Sequence, residues 1–398
     1  MNSSEIVNLH NNFAAINYAP LEVVLSKAEG CFVWDLEGNK YIDFLSCYSA
    51  LSFGHRHPDL IKAAKEQLDR LTLTGRAFIT DQLALFSQEL AAFCQKERVL
   101  LMNSGAEAVE TAIKIARRWG YEQKRVASEM ANIICFAGNF HGRTTTIISF
   151  SDSRKTKDNF GPYTPGFKLV PFGLAEEVKR AIDQNTVAVL CEPIQGEGGI
   201  ITPPAGFLTE LRKICTQHNI LFIADEIQTG LCRTGRRFAC DHEEVIPDLY
   251  ILGKALGGGI VPVSAVVGNR KFLDVLKPGS HGSTFGGNPF AAAIGRTVIK
   301  LIKETKPEKN AENLGSYLFE QLKGLKSPII ADIRGKGLLI GVDIDEKFGV
   351  AKDVCKKLLK NGVLSYDTRE KTIRLAPPLT ITRSELDYGL ERIALVFR

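Results

Sequence analysis

The sequence has few features of an extracellular or metal-binding protein. Its nine cysteines are dispersed over 398 residues, and no two of them form a CxxC pair. Disulfide frameworks and structural zinc sites need cysteines at short, regular spacings, and disulfides also need an oxidising compartment. We therefore expect reduced thiols, most of them in the core, and no bound metal.

Long apolar runs and a dominant charge are also missing. No run approaches the roughly 18 apolar residues that a membrane span needs. The first 12 residues are polar, with Glu5 and no arginine, unlike a secretory signal or a transit peptide. Fifty basic residues are nearly balanced by 45 acidic ones, and no basic stripe is visible. These absences favour a cytoplasmic protein that binds neither membranes nor nucleic acids.

The middle of the chain alternates short apolar runs with amphipathic stretches. The stretches 108–119 and 208–218 have the periodicity of helices. This alternation predicts a mostly parallel sheet that is covered by helices and buried on both faces. The predicted strands are 99–102, 133–136, 187–190, 221–224 and 250–252.

The two ends of the chain differ from the middle. Residues 31–44 alternate apolar and polar side chains around a Glu-Gly-Asn turn, which predicts a hairpin. After residue 300, lysine-rich helical segments precede several short strands, a pattern typical of a smaller α+β domain. We predict an N-terminal arm and hairpin at 1–50 that belongs with the small domain, a large domain at 51–300 and a C-terminal small domain at 301–398.

Two charged residues follow predicted strands. Asp225 comes directly after the strand 221–224, and Lys254 lies between the strand 250–252 and the glycines 257–259. A carboxylate at such a point is either a helix cap or the partner of a cationic ligand atom. A lysine in a pocket loses its proton more easily and can then form a Schiff base with an aldehyde. Pyridoxal phosphate needs such a lysine, and a carboxylate that keeps its pyridine nitrogen protonated.

A phosphate seat is predicted at the start of a helix. Ser104 follows a predicted strand and forms a capping-box pattern with Glu107, with Gly105 and Ala106 between them. The free amides of a helix N-terminus bind phosphate, although an ordinary capped helix has the same pattern. The segment 282–288 is a second candidate for a phosphate contact.

Seven motifs together resemble the class III aminotransferases of pyridoxal-phosphate-dependent fold type I. The resemblance covers nearly the whole chain. It implies an α/β fold, in which a large domain has a mostly parallel seven-stranded sheet and a smaller domain is α+β. It also implies pyridoxal 5'-phosphate as the cofactor. The motifs are NSGAEA at 103–108, FHGRT at 140–144, EPIQGEGG at 192–199, ADEIQTG at 224–230, RTGR at 233–236, LGKALGGG at 252–259 and HGSTFGGNP at 281–289.

The resemblance implies roles for the residues around the cofactor. Lys254 is expected to form the Schiff base, and Asp225 to pair with the pyridine nitrogen. The remaining expected contacts are Gln228 at the ring hydroxyl, Phe140 on the ring face, and Ser104, Gly105 and Ala106 at the phosphate.

Two further motif residues have implied roles outside this set. Thr284 is expected to reach the phosphate of the neighbouring subunit. The resemblance therefore implies a homodimer with shared active sites, alone or within a larger assembly. His141 is expected to be a structural residue beside the site.

Within the family, four segments resemble the branch that acts on the δ-amine of ornithine. This branch transfers the δ-amino group of L-ornithine to 2-oxoglutarate, giving glutamate 5-semialdehyde and glutamate. Ala19 departs from the branch, because a histidine often stands there in the eukaryotic enzymes. The segments are Asn17–Pro20, Cys47–Ala50, Ala112–Tyr121 and Ile373–Leu379.

The two substrates are then expected to use different parts of one pocket. Arg143 and Tyr18 are expected to hold the α-carboxylate and the α-amine of ornithine, while Tyr48 shapes the pocket against other amines. Arg374 is expected to bind the α-carboxylate of 2-oxoglutarate, and Glu197 to pair with Arg374 while ornithine reacts. An aminotransferase for acetylornithine, 4-aminobutyrate or lysine, an aminomutase, and a cofactor-binding protein without catalysis stay open as alternatives.

Overall fold

The computed structural model describes residues 1–398. Fifteen strands form its three sheets. The strands are β1 (Leu25–Glu29), β2 (Phe32–Asp35), β3 (Lys40–Asp43), β4 (Arg98–Met102), β5 (Asn132–Phe136), β6 (Phe167–Val170), β7 (Thr186–Cys191), β8 (Leu221–Asp225), β9 (Leu249–Leu252), β10 (Ser264–Gly268), β11 (Ile330–Lys336), β12 (Leu339–Ile344), β13 (Val363–Leu364), β14 (Tyr366–Thr368) and β15 (Thr372–Leu375).

Helices surround these sheets. Short 3-10 helices occur at Ala239–Glu243, Lys254–Gly257 and Glu346–Phe348. The others are α1 (Ser3–Phe13), the single turn α2 (Ser46–Ser49), α3 (Pro58–Leu68), α4 (Asp81–Phe93), α5 (Gly105–Glu122), α6 (Thr145–Ile148), α7 (Arg154–Lys157), α8 (Ala175–Ala181), α9 (Phe207–Gln217), α10 (Arg270–Leu273), α11 (Pro289–Thr305), α12 (Pro307–Gly324), α13 (Ala351–Lys360) and α14 (Arg383–Phe397).

The large sheet has seven strands in the order β4-β10-β9-β8-β7-β5-β6. Only β10 runs antiparallel to its neighbours; the other pairings are parallel. The predicted seven-stranded, mostly parallel sheet is therefore confirmed. The apolar runs predicted five of the strands but missed β6 and β10. In β6, two of the four residues are half-buried and one is exposed, so the strand lacks a continuous apolar run.

Both faces of this sheet are buried, as the continuous apolar runs predicted. Phe222 and Tyr250 pack into one hydrophobic cluster, and their neighbours Ile223 and Ile251 pack into another on the opposite face. The second cluster lies under α5. The first extends through the C-terminal region as far as α14. One continuous core therefore joins the sheet to the C-terminal region.

Two smaller sheets bring the chain ends together. One has the order β11-β12-β15-β14, and all its pairings are antiparallel. In the other, the N-terminal hairpin of β2 and β3 pairs in parallel with β13 from the C-terminal region. The division of the chain near residues 50 and 300 stays a prediction.

Residues Ser46–Ser49 form a turn with left-handed backbone. All four φ angles are positive, from 46° at Ser46 to 75° at Ser49, and none of the four residues is glycine. A left-handed conformation costs an L-residue roughly 1–2 kcal/mol. The turn therefore needs surrounding contacts to hold it. Asp43 supplies some of them, because its Oδ1 accepts hydrogen bonds from the amides of Leu45 at 2.9 Å and Ser46 at 2.8 Å.

None of the helices is long and apolar enough to cross a membrane. The cysteines are all free and eight of them are buried, which agrees with the expected core thiols. The location of the protein in the cell stays a prediction.

Candidate active site

A cavity of about 200 Å³ lies at the carboxyl ends of the parallel strands. Ligands bind at this edge in open α/β sheets, because the loops that follow neighbouring strands converge there. Here β8 ends in Asp225, Lys254 follows β9, and α5 begins just after β4. The cavity is lined by Gly105, Ala106, Phe140, His141, Gly142, Glu192, Ile194, Glu197, Asp225, Ile227, Gln228, Thr229 and Lys254.

Lys254 is the one lysine in the cavity wall. Burial is the main cause that lowers the pKa of its amine to about 8; the charge of Arg374 acts in the same direction, while the carboxylates of Glu197 and Asp225 oppose the shift. A substantial fraction of the amine is therefore uncharged at slightly alkaline pH. An uncharged amine in a cavity is a nucleophile for an aldehyde carbon.

Asp225 forms a buried pair with His141. The Oδ2 of Asp225 lies 2.7 Å from the Nδ1 of His141, and the two residues are 5 % and 3 % exposed. Burial disfavours the charged imidazole, but the hydrogen bond and negative charge of Asp225 outweigh it and raise the pKa of His141. The Oδ1 of Asp225 accepts from the amide of Ile227 at 3.1 Å. His141 thus positions the carboxylate that lines the cavity, in agreement with its expected structural role.

Glu192 is a site residue to which the sequence analysis assigned no role. Its carboxylate accepts hydrogen bonds from the amide of Phe140 at 2.9 Å and from the amide of Gly196 at 3.2 Å. Burial raises its pKa to about 7. The signal that could have found it is the same one that marked Asp225, since Glu192 directly follows the buried strand β7.

Gln228 has a buried side-chain oxygen that faces no donor. Its Oε1 has no hydrogen-bond partner in the protein. Gly196 makes room for it, because a Cβ at that position would lie 1.8 Å from this oxygen. A buried acceptor without a partner is costly, and Gln228 lines the cavity, so its side-chain amide is a candidate for a hydrogen bond with a ligand hydroxyl.

The start of α5 has the geometry of an anion seat. Ser104 and Glu107 form the predicted capping box, with the Glu107 amide 3.2 Å from the Ser104 hydroxyl. The amides of Gly105 and Ala106 come before the first intrahelical hydrogen bond and border the cavity. The hydroxyl of Ser264 donates to the Ser104 carbonyl at 2.7 Å and fixes this end of the helix. These features fit a phosphate group.

Glu197 and Arg374 form an ion pair, although 177 positions separate them in the chain. The Nη1 of Arg374 donates to the Oε1 of Glu197 at 2.7 Å. Burial opposes the charge of Glu197, but the charge and hydrogen bond of Arg374 outweigh it, and the pKa of Glu197 is lowered. The ring of Tyr48 lies 5.1 Å from the Arg374 guanidinium carbon. The structure thus brings these three predicted residues together.

Arg143 and Tyr18 form a second group. The guanidinium carbon of Arg143 lies 6.0 Å from the ring centre of Tyr18 and 5.5 Å from that of Phe140. Tyr18 is 63 % exposed, in a loop before β1. The predicted contacts of the ornithine α-group therefore lie beside the residue that is expected to stack on the cofactor.

Thr284 does not belong to the cavity wall. It is exposed and does not line the cavity of its own chain. Its loop is attached to the start of α5, because the Nδ2 of Asn103 donates to the Ser283 hydroxyl at 2.9 Å. The second predicted phosphate segment therefore contributes nothing to the cavity of the same chain.

Comparison with known proteins agrees with this geometry. The model of the family "Aminotransferase class-III" matches residues 13–397. The ornithine aminotransferase of Geobacillus sp. is 52 % identical over 99 % of this chain and 98 % of its own length. That of Bacillus subtilis is 50 % identical over 100 % and 98 %.

Solved structures of aminotransferases also superpose on the full length of this chain. The ornithine aminotransferase of Toxoplasma gondii superposes with a TM-score of 0.98 at 45 % identity, covering 100 % of this chain and 95 % of that one. An acetylornithine aminotransferase from Elizabethkingia anophelis superposes with a TM-score of 0.91 at 42 % identity, covering 100 % and 99 %. With a cavity that holds a lysine, a carboxylate and an anion seat, and with relatives of this identity over the full length, the chain belongs to the class III aminotransferase family.

Proposed function

We propose that the chain acts as an ornithine aminotransferase. It transfers the δ-amino group of L-ornithine to 2-oxoglutarate and releases glutamate 5-semialdehyde and glutamate. The observation that carries the proposal is the ion pair of Glu197 with Arg374 beside Tyr48, together with the separate pair of Arg143 and Tyr18. Neither arginine lines the cavity itself, but Arg374 is paired with the lining residue Glu197 and Arg143 lies over the lining residue Phe140. Two arginines beside one cavity, one of them neutralised by a carboxylate, suit two substrates that present opposite ends. The curated relatives named above support the same reaction.

Pyridoxal phosphate is the cofactor of this family, and a solved structure of the Toxoplasma gondii enzyme has partial occupancy of it at the active site. When bound, it supplies an aldehyde for an amine and a protonated ring that withdraws electrons from the substrate carbon. The residues present fit it. Lys254 would hold the cofactor through its aldehyde carbon; once the amine of the substrate had displaced it there, the freed Lys254 amine, whose pKa burial lowers to about 8, would move a proton at the substrate carbon.

The rest of the cavity orients the ring and phosphate. We assign Asp225 to the pyridine nitrogen, with His141 holding the carboxylate in place. The side-chain amide of Gln228, which lines the cavity, would hydrogen-bond the ring hydroxyl. Phe140 would cover one face of the ring. The helix start would hold the phosphate, because Ser104, Gly105 and Ala106 provide the capped N-terminus and its amides.

The two substrates bind in turn. Ornithine places its α-carboxylate on Arg143, while Tyr18 hydrogen-bonds the α-group, so that the δ-amine points at Lys254. During this half-reaction Glu197 neutralises Arg374, so that Arg374 does not attract the α-carboxylate of ornithine to the wrong end of the site. When 2-oxoglutarate binds, Glu197 moves away and Arg374 holds the α-carboxylate.

We further propose that the protein works as a homodimer with shared active sites. Thr284 is exposed and does not line its own cavity, as expected of a residue that serves a partner subunit. Large apolar side chains are exposed as well. They include Phe285, which is next to Thr284 in the chain, and Phe78 and Ile79, which are 70 % and 93 % exposed. Such apolar exposure is typical of a surface that is covered in an assembly.

A second candidate is the transamination of acetylornithine, which the Elizabethkingia anophelis relative favours. The two substrates differ at the α-nitrogen, which is charged in ornithine and acylated in acetylornithine. Steady-state turnover of the purified enzyme with 2-oxoglutarate and ornithine, acetylornithine, 4-aminobutyrate or lysine separates the possibilities. We expect the highest kcat/KM with ornithine. A higher value with any of the other three amines would contradict the proposal.

A further inference from the structure

Arg233 is a buried arginine that belongs neither to the proposed cofactor contacts nor to the proposed substrate contacts. It belongs to the motif RTGR at 233–236 and is 0 % exposed. No carboxylate forms an ion pair with it, although the charge of Asp43 acts on it from a distance. An arginine without a salt bridge in the core is costly. A buried arginine at this cost is expected to have a specific role.

The guanidinium of Arg233 joins three segments of the chain. Its Nη1 donates to the carbonyls of Leu338 at 3.0 Å and Pro377 at 2.5 Å, and its Nη2 donates to the Ser52 hydroxyl at 3.1 Å. Leu338 precedes β12, and Pro377 follows β15, the strand that carries Arg374. The planar fork of arginine can make such divergent contacts, whereas the single ammonium of lysine reaches fewer of them.

Ser52 connects this fork to the left-handed turn that carries Tyr48. The hydroxyl of Ser52 donates to the carbonyl of Ser49, the last residue of the turn, at 3.2 Å. The carbonyl of Ser52 accepts from the amide of Leu379 at 2.8 Å. The turn is thus fixed both to Arg233 and to the segment that follows Arg374.

The position of Arg233 in the chain extends this link to the cofactor. It lies in the loop that follows β8; Asp225 is the last residue of that strand, and Gln228 stands near the start of the loop. Within this loop, Glu226 and Thr229 are buried and their side chains are hydrogen-bonded to each other, which stabilises its first turn. One short segment therefore reaches from the cofactor contacts to the base of the Tyr48 turn.

We propose that Arg233 is a positioning residue that fixes the Tyr48 ring and the Arg374 guanidinium relative to each other. It thereby determines the affinity of the enzyme for the α-carboxylate of the oxo acid. The inference rests on the proposed function of Arg374. The ornithine half-reaction depends less on this arrangement, because Arg374 is paired with Glu197 while ornithine reacts. Loss of the fork should consequently affect one half-reaction much more than the other.

The test uses the holoenzyme and three variants. R233K keeps the charge but loses the fork, and S52A removes one acceptor of the fork without introducing a charge into the core. R237K is the matched control in the same loop: Arg237 donates to the carbonyl of Phe93 at 2.9 Å and contacts neither Tyr48 nor Arg374. Single-turnover kinetics are measured separately with ornithine and with 2-oxoglutarate, and thermal unfolding is followed for each variant.

We expect R233K to weaken the apparent affinity for 2-oxoglutarate about tenfold, the loss typical of a hydrogen bond to a charged group, and to leave the ornithine half-reaction within about twofold. S52A should shift the same ratio in the same direction by a smaller factor. R237K should leave the ratio unchanged. Equal losses in both half-reactions, or an unchanged ratio in folded R233K and S52A, would overturn the proposal. If R233K does not fold, S52A decides by the same criterion.

The proposed function can fail independently of this inference. If the wild-type enzyme prefers another amine, the ornithine assignment is wrong, but the same ratio can be measured with the preferred amine and 2-oxoglutarate. If 2-oxoglutarate itself is not a substrate, both proposals are wrong.

Discussion

Glu197 and Arg374 share a 2.7 Å hydrogen bond, but their side chains differ in burial: that of Arg374 is 1 % exposed and that of Glu197 31 %. The arginine is held by β15 and by the Tyr48 ring, while the glutamate stands in a loop after β7. Glu197 is therefore the partner that is free to move. This asymmetry suits a pair in which the buried cation must be uncovered for one substrate and covered for the other.

Removal of Glu197 should expose Arg374 permanently. We expect Glu197→Ala to react faster with glutamate and ordinary α-amino acids and to lose selectivity for the δ-amine of ornithine. Arg374→Ala should instead slow the 2-oxoglutarate half-reaction by about a hundredfold or more, because a charge-assisted contact to the carboxylate is lost, and spare the ornithine half-reaction. Single-turnover kinetics on each half-reaction measure both effects. Equal damage to both half-reactions in both variants would show a purely structural pair.

The lowered pKa of Lys254 predicts how the apoprotein takes up pyridoxal phosphate. Only the uncharged amine attacks the aldehyde, so the rate constant of loading should rise about tenfold per pH unit below the pKa and level off above about pH 8. Stopped-flow absorbance from pH 6 to pH 10 follows the loading.

Two variants test this assignment. Glu197→Gln should move the inflection to lower pH, because the charge of Glu197 raises the pKa of Lys254 and that of Arg374 lowers it. Lys254→Ala should neither load covalently nor turn over. Lys96→Ala, at a half-buried lysine that donates to the carbonyl of Pro247, is the control and should do both. An inflection near the ordinary lysine pKa in the wild type would contradict the prediction.

Thr284 should act across the dimer. Thr284→Ala is expected to weaken retention of the cofactor, as measured by the absorbance that remains after gel filtration. Mixing this variant with Lys254→Ala subunits should restore activity, because each heterodimer then has one site with an intact lysine and an intact threonine. If Thr284 served its own subunit, no mixture would contain an intact site and activity would not return.

The left-handed turn offers a test by stability alone. Cys47 has a φ of 47° and an exposed side chain. Cys47→Gly should therefore raise the free energy of unfolding by about 0.5–1 kcal/mol relative to Cys47→Ala, since glycine adopts this conformation without the steric cost, although it loses more entropy. Urea unfolding of both variants measures the difference. A glycine variant that is less stable than the alanine variant would show that the turn is not strained.

The sequence by itself determined the class of fold and the chemistry at the strand ends. Buried parallel strands require continuous apolar runs, and Asp225 and Lys254 stand directly after two of them, so local patterns place both at one edge of the sheet. The capping box at Ser104 was likewise a local pattern, and the structure has it. The pairing of Glu197 with Arg374 came from the resemblance to the family, since nothing local connects residues that far apart.

Only the tertiary structure decided which residues hold these groups in place. The antiparallel direction of β10 could not be predicted, because it inserts between β9 and the strand β4, which lies far away in the chain. The bridge of Glu192 between Phe140 and Gly196 likewise depends on two loops, after β5 and after β7, that meet only in the folded chain. The left-handed turn at Tyr48 could not be predicted from its sequence, because it contains no glycine. Contacts from Asp43 and Ser52 outweigh the local preference of its residues. Local patterns record what each segment prefers, but the cost of a strained turn or a buried charge is offset by groups from elsewhere in the chain.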